Sequence, residues 1–217
     1  MNHTADNKNR PCECLVLAVT GSAGALHIPD RLRYLEETFA RTIHVIMSRS
    51  ATHFVSPNAL RLLSGNPVLI DQFAEDSAFA VPHIQLSERA QLLLVMPATA
   101  NILAKAAHGI CDDLVSTTIL TFGERVVFVP SMNAVMWHNA LVQENVHKLV
   151  SLGRSVIEPT IGIEIATKEP GIGGMPSIEA ITEYLKELLT EFYQSAAPPG
   201  EHPGADGRVA ARCEAGE

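Results

Sequence analysis

The sequence predicts a Rossmann-like α/β fold, a doubly wound parallel sheet with helices on both faces. Three observations predict it. Short apolar runs alternate with amphipathic stretches over most of the 217 residues. One run, QLLLVMPA at 91–98, is almost continuously apolar, as strands covered on both faces are. The turns between are short and rich in Gly, Ser and Pro, which suits strand–helix–strand units.

In order, CLVLAVTGS (14–22) is a strand that runs into a Gly/Ser turn. IPDRLRYLEETFA (28–40) is a helix, with Pro29 near its start and Leu32, Leu35 and Phe39 at helical spacing. TIHVIMS (42–48) is the second strand, and PNALRLLSG (57–65) a helix opened by Pro57 and ended by Gly65. Residues 66–86 read as a loop leading into a short helix near SERA (87–90). QLLLVMPA is the third strand, and 99–122 carry one or two helices with Gly109 as a break. RVVFVP (125–130) is the fourth strand, NALVQENVHKLVSLG (139–153) a helix, and RSVIEP (154–159) the fifth strand. PSIEAITEYLKELLTEFYQS (176–195) closes the domain as an amphipathic helix. This organisation gives a flexible segment over 1–13, one domain over 14–195 and a disordered Pro/Gly/Ala-rich tail over 196–217.

Composition excludes several classes. A net charge of -8 with no Lys/Arg cluster argues against nucleic acid as a partner. No apolar run reaches the length of a membrane span, and the polar start lacks a signal-peptide core, so a cytoplasmic protein is expected. Charged residues make up only 18%, which is compatible with surface hidden in an oligomer. The four cysteines (Cys12, Cys14, Cys111, Cys213) form neither a disulfide framework nor a metal-ligand pattern, and no metal is expected.

In a doubly wound sheet, ligands collect at the carboxyl ends of the strands. Gly21, Ser22 and Gly24 follow the first strand and suit either a phosphate or a tight turn. Ser48, Ser50 and Thr52 follow the second, as phosphate or ribityl partners or as helix caps. After the third, Pro97, Ala98, Thr99 and Ala100 let a flat ring approach the backbone. Asn101 there offers an amide, or a helix N-cap. Asp112 and Asp113 suit a helix start; adjacent on a helix they would point apart, as would Glu36 and Glu37, so no carboxylate dyad is expected. His83 is either structural or an acid/base group. PSMNAVMWHN (130–139) reads as a hydrophobic plug or as a pocket wall.

Together these segments resemble the homo-oligomeric flavin-containing cysteine decarboxylases. PATAN (97–101) resembles the family's P-A-S-A-N-T, and AAHGICDDL its A-x-G-I-x-D-N-L, with Asp113 in place of asparagine. PSMNAVMW (130–137) resembles P-x-M-N-x-x-M-W at every fixed position, and HIQL (83–86) resembles H-I-x-L. The likeness spans roughly Leu15 to Leu189. It implies the flavoprotein three-layer sandwich. His83 and Asn101 would be catalytic. Gly21, Ser22, Ala23, Ser48, Ser50, Pro97–Asn101, Asp112, Pro130 and Met132 would hold a flavin. Asn133, Met136, Trp137 and Ile163 would stand on the substrate side, Met136 and Trp137 mainly by bracing the turn.

Phosphopantothenoylcysteine decarboxylases of this family protonate an oxidised intermediate with a cysteine after the fifth strand. Here no cysteine occurs between Cys111 and Cys213. The chain therefore looks more like the peptidyl-cysteine decarboxylases of lanthipeptide and related (linaridin, thioamide) pathways. The resemblance implies FMN, with FAD as the alternative because some such enzymes also read P-A-T-A-N-I-L. It also implies a precursor peptide ending in cysteine as substrate, and a trimer that assembles to a dodecamer. The alternatives are a phosphopantothenoylcysteine decarboxylase of coenzyme A biosynthesis and a non-catalytic flavin-binding regulatory subunit. A mere scaffold need not keep His83 and Asn101, which speaks against the last.

Overall fold

The computed structural model describes residues 10–74, 79–163 and 168–195. The predicted tail over 196–217 lies outside the described residues, as do residues 1–9. Six parallel strands form the sheet: β1 (Cys12–Val19), β2 (Ala40–Met47), β3 (Val68–Leu69), β4 (Leu92–Ala98), β5 (Val126–Pro130) and β6 (Ser155–Val156). Their spatial order is β3-β2-β1-β4-β5-β6, so the winding reverses between β1 and β4. The predicted doubly wound sheet is the one observed.

Successive residues of β1 point to opposite faces, and each face has its own core. Leu15, Leu17 and Val19 pack with α1 (Ile28–Thr38), α2 (Pro57–Ser64) and α8 (Ile178–Ser195). Val16 and Ala18 pack with α3 (Pro82–Arg89), α4 (Ala100–His108), α5 (Leu114–Phe122) and α7 (Ala140–Ser151). All seven residues of β4 are buried, which is why its sequence does not alternate. Truncating such a position, Leu94→Ala for example, costs about 2–5 kcal/mol.

The region 99–122 is two helices. Gly109 ends α4 in a left-handed conformation (φ 69°), and Asp113 opens α5 with a capping box closed by Ser116. Three features differ from expectation. The first strand starts at Cys12, fully buried and paired with Ala40, not at 14. The region read as a loop contains β3, and its helix begins at Pro82. After β6 the chain forms an antiparallel hairpin of β7 (Thr160–Ile163) and β8 (Pro170–Gly174), and a one-turn helix α6 (Ala134–Trp137) follows β5.

Candidate active site

Two cavities open at the carboxyl ends of the strands, flanking the β1/β4 reversal. Thr20, at the end of β1, donates its hydroxyl to the Pro97 carbonyl at 2.7 Å and so ties the two strand ends together. The first cavity, of about 430 Å³, is rich in hydroxyls: Thr20, Ser48, Ser50 and Thr99 line it together with Asn101 and Asp112. The second, of about 500 Å³, lies between the β1 turn (Ser22–Gly24), the β5 end (Ser131–Asn133) and the glycines of the hairpin.

Local turns place these groups. Ser22 caps a 3-10 turn over 23–27 and accepts from the Gly24 amide at 3.1 Å. Its own hydroxyl donates to Ser131 at 3.1 Å, which joins the ends of β1 and β5. Ser48 caps a second 3-10 turn, over 49–53, and shares a 3.0 Å hydrogen bond with Ser50. A Cβ on Gly21 would collide with the Ser50 side chain, so this turn needs glycine. Both readings of these serines therefore hold: they cap turns and they line the cavities.

Thr99, not Asn101, caps α4, accepting from the Ile102 amide at 3.3 Å. The Asn101 amide is exposed and makes no hydrogen bond among the described residues. Asn133 accepts from the Met136 amide at 2.8 Å through its side-chain oxygen, which leaves the NH₂ end of its amide for a ligand. Asp112 and Asp113 precede α5 and do not point apart, contrary to expectation. They converge on Lys105 Nζ at 2.6 and 2.9 Å. Burial alone would lower the Lys105 pKa; the hydrogen bonds to both aspartates outweigh it and hold the ammonium above its usual range.

Of the residues named from sequence, Ser22, Ala23, Met132 and Asn133 meet at the glycine-lined cavity, and Ser48, Ser50, Thr99, Asn101 and Asp112 at the hydroxyl-lined one. Gly21, Pro97, Ala98, Ala100, Pro130, Met136 and Trp137 line neither. Pro97, Ala98 and Pro130 are buried beneath the strand ends, and Trp137 is buried behind the turn. Ile163 ends β7 opposite Pro170, and its side chain lies outside the described part. His83 also lines neither cavity. It stands half-buried at the start of α3, its Nδ1 buried without a hydrogen-bond partner among the described residues and its carbonyl accepting from Thr121.

Sequence reading does not single out His27, Arg31, Met175 or the hairpin glycines, all on the second cavity. One signal is available, since His27 and Arg31 are four residues apart and share a helical face.

A profile of the family described as Flavoprotein matches residues 3–190. The chain belongs to the flavoprotein family. The bifunctional coenzyme A biosynthesis protein CoaBC of Mycobacterium tuberculosis is 39% identical over 190 residues, 88% of this chain but 44% of that protein. The chain thus spans under half the length of this relative. A probable phosphopantothenoylcysteine decarboxylase of Streptococcus mutans is 33% identical over 81% of this chain and 98% of its own length. Among solved structures, the FMN-dependent cysteine decarboxylase SpaF superposes with a TM-score of 0.70 at 30% identity, covering 82% of this chain and 96% of SpaF. The peptidyl-cysteine decarboxylase EpiD superposes with a TM-score of 0.71 at 27% identity, covering 80% and 98%. SpaF and EpiD share the α/β architecture seen here.

The residues present fit a flavin. Four hydroxyls and an uncommitted amide line one cavity, and the turn at Gly21 admits no side chain beside them. No described helix is long and apolar enough to cross a membrane, and no group of three or more metal-ligating side chains occurs among the described residues.

Proposed function

We propose that this flavoprotein oxidatively decarboxylates the C-terminal cysteine of a ribosomally made precursor peptide to an aminoenethiol. One observation carries the reading: among the described residues no cysteine stands at either cavity to return a proton to an oxidised intermediate. None occurs between Cys111 and Cys213, and Cys12, Cys14 and Cys111 line neither cavity. The loss of that proton donor favours release of the oxidised product over its reduction by the reduced flavin. A bound flavin, FMN by analogy with SpaF, supplies the two-electron acceptor.

The chain's own residues bind and orient. Hydroxyls of Ser48, Ser50, Thr20 and Thr99 hold the ribityl and phosphate groups, and Asn101 addresses the ring edge and the cysteine carboxylate. Asn133 donates its NH₂ to the same carboxylate. His83 assists thiol deprotonation or orients the substrate. It lies off both cavities of its own chain, which supports a role in a neighbouring subunit's site; in this reading the working unit is a trimer, with four trimers to a dodecamer. The protein works in the cytoplasm, where precursor peptides are made.

The second reading, a phosphopantothenoylcysteine decarboxylase, is favoured by the 39% identity to CoaBC. Mass spectrometry separates the two. Peptides ending in cysteine lose about 46 Da (CO₂ and two hydrogens) under the first reading. Under the second, only phosphopantothenoylcysteine reacts and loses CO₂ alone.

A further inference from the structure

The two cavities differ sharply in charge. Three carboxylates and two cations line the hydroxyl-rich one: Asp71, Asp112, Asp113, Arg49 and Lys105. Among the described residues no carboxylate lines the glycine-rich one, which carries Arg31 and His27 instead, on a chain whose net charge is -8.

Arg31 is held there with no ion-pair partner among the described residues. Its Nη2 donates to the Pro176 carbonyl at 2.8 Å, and Nη1 faces only the Met96 sulfur at 3.9 Å. A guanidinium has five N–H donors, so most remain unspent. No carboxylate among the described residues lies within ion-pairing distance, and Glu179 acts on it only from further away. Burial lowers the Arg31 pKa below the ordinary arginine value, but the group stays charged. A partly desolvated, uncompensated cation facing a cavity is unfavourable until an anion arrives.

That anion is not the carboxylate that leaves. A guanidinium clamped on it would stabilise the ground state more than the transition state, where its charge disperses into departing CO₂. We infer that Arg31 recognises a second anionic group on the substrate, set apart from the scissile carboxylate, and so determines specificity. This rests on the decarboxylase reading above. The group has two sources, an acidic side chain upstream of the cysteine in a peptide or the phosphate of a phosphopantothenoyl substrate.

The test compares the flavin-loaded wild-type protein with Arg31→Gln and Arg31→Lys. One arm uses peptides ending in cysteine with Glu or Gln at each of the three preceding positions. The other uses phosphopantothenoylcysteine and its dephosphorylated form. The wild type should prefer the anionic member in one arm by about 10- to 100-fold in kcat/KM, mainly through KM, as for a charged hydrogen bond. Arg31→Gln should bring that ratio near one, and Arg31→Lys should retain part of it. The arm showing the preference identifies the source. Turnover with no charge preference in either arm, or a preference unchanged in Arg31→Gln, overturns the inference alone. An Arg31→Gln protein purified without flavin also overturns it, by assigning Arg31 to the cofactor. No turnover in either arm by the wild type sinks the decarboxylase reading and the inference with it.

Discussion

The amide of Met132 donates to the carbonyl of Gly173 over 3.1 Å, and this bond docks the β7–β8 hairpin on the strand-end segment PSMN. A Cβ on Gly173 would run into the Met132 carbonyl, and Gly173 sits at φ 152°. Gly173→Ala should therefore push the hairpin off the second cavity. The expected result is at least a tenfold loss of kcat/KM, because small misplacements of substrate-positioning groups are costly. The melting temperature should fall less than activity does, since among the described hairpin residues only Ile172 packs against a core. Full activity in Gly173→Ala would show that the hairpin does not shape the site.

Cap and ligand roles separate at the start of α4. Thr99→Ala removes the cap and should cost about 1 kcal/mol of stability in urea titration. Asn101→Ala should leave stability within about 0.5 kcal/mol, as surface changes do, yet lower decarboxylase turnover at least tenfold. Equal losses of stability in the two variants would return Asn101 to a structural role.

The distance of His83 from both cavities gives a mixing experiment. His83→Asn and Asn133→Asp should each fold and retain flavin but turn over poorly. In the second variant a carboxylate oxygen can still accept from the Met136 amide, so the turn keeps its cap. If His83 serves a neighbour's site, mixed oligomers reassembled from the two variants contain some wild-type sites. Activity should then rise several-fold above either parent. Mixing without recovery, or a fully active His83→Asn protein, would contradict the assignment.

His44 gives a pH signature. It packs edge-on to Phe79 at 5.5 Å, and its Nδ1 is buried with no hydrogen-bond partner among the described residues. Burial first, then the charge of Arg89, pushes its pKa below the usual 6.5. The unfolded chain takes up a proton below 6.5 that the folded chain resists. Stability should hence be flat above that pH and fall as the pH drops through it toward the folded value. Urea midpoints between about pH 7.5 and 5 should show this slope in the wild type and a weaker one in His44→Leu. An identical slope in both would place the acid sensitivity elsewhere.

These contrasts also explain what was legible in the sequence. The sheet was legible because a strand covered on both faces must be apolar throughout, as Leu92–Ala98 is. Two-residue β3 carries too few side chains to make a pattern. The hairpin mixes β-branched residues with Pro and Gly, whose turn-forming signal hides pairing set by docking on Met132. Thr99 and Asn101 are both good caps, and only backbone geometry decides between them. Arg31 stays hidden because a lone arginine on an amphipathic helix looks like solvated surface. Its cavity exists only once α1, the β5 end and the hairpin come together.

The most direct test of the central claim is the mass change when the flavin-loaded protein meets a peptide ending in cysteine. The account predicts a product lighter by about 46 Da, which corresponds to loss of CO₂ with two hydrogens. Unchanged peptides, together with phosphopantothenoylcysteine losing CO₂ alone, would contradict it.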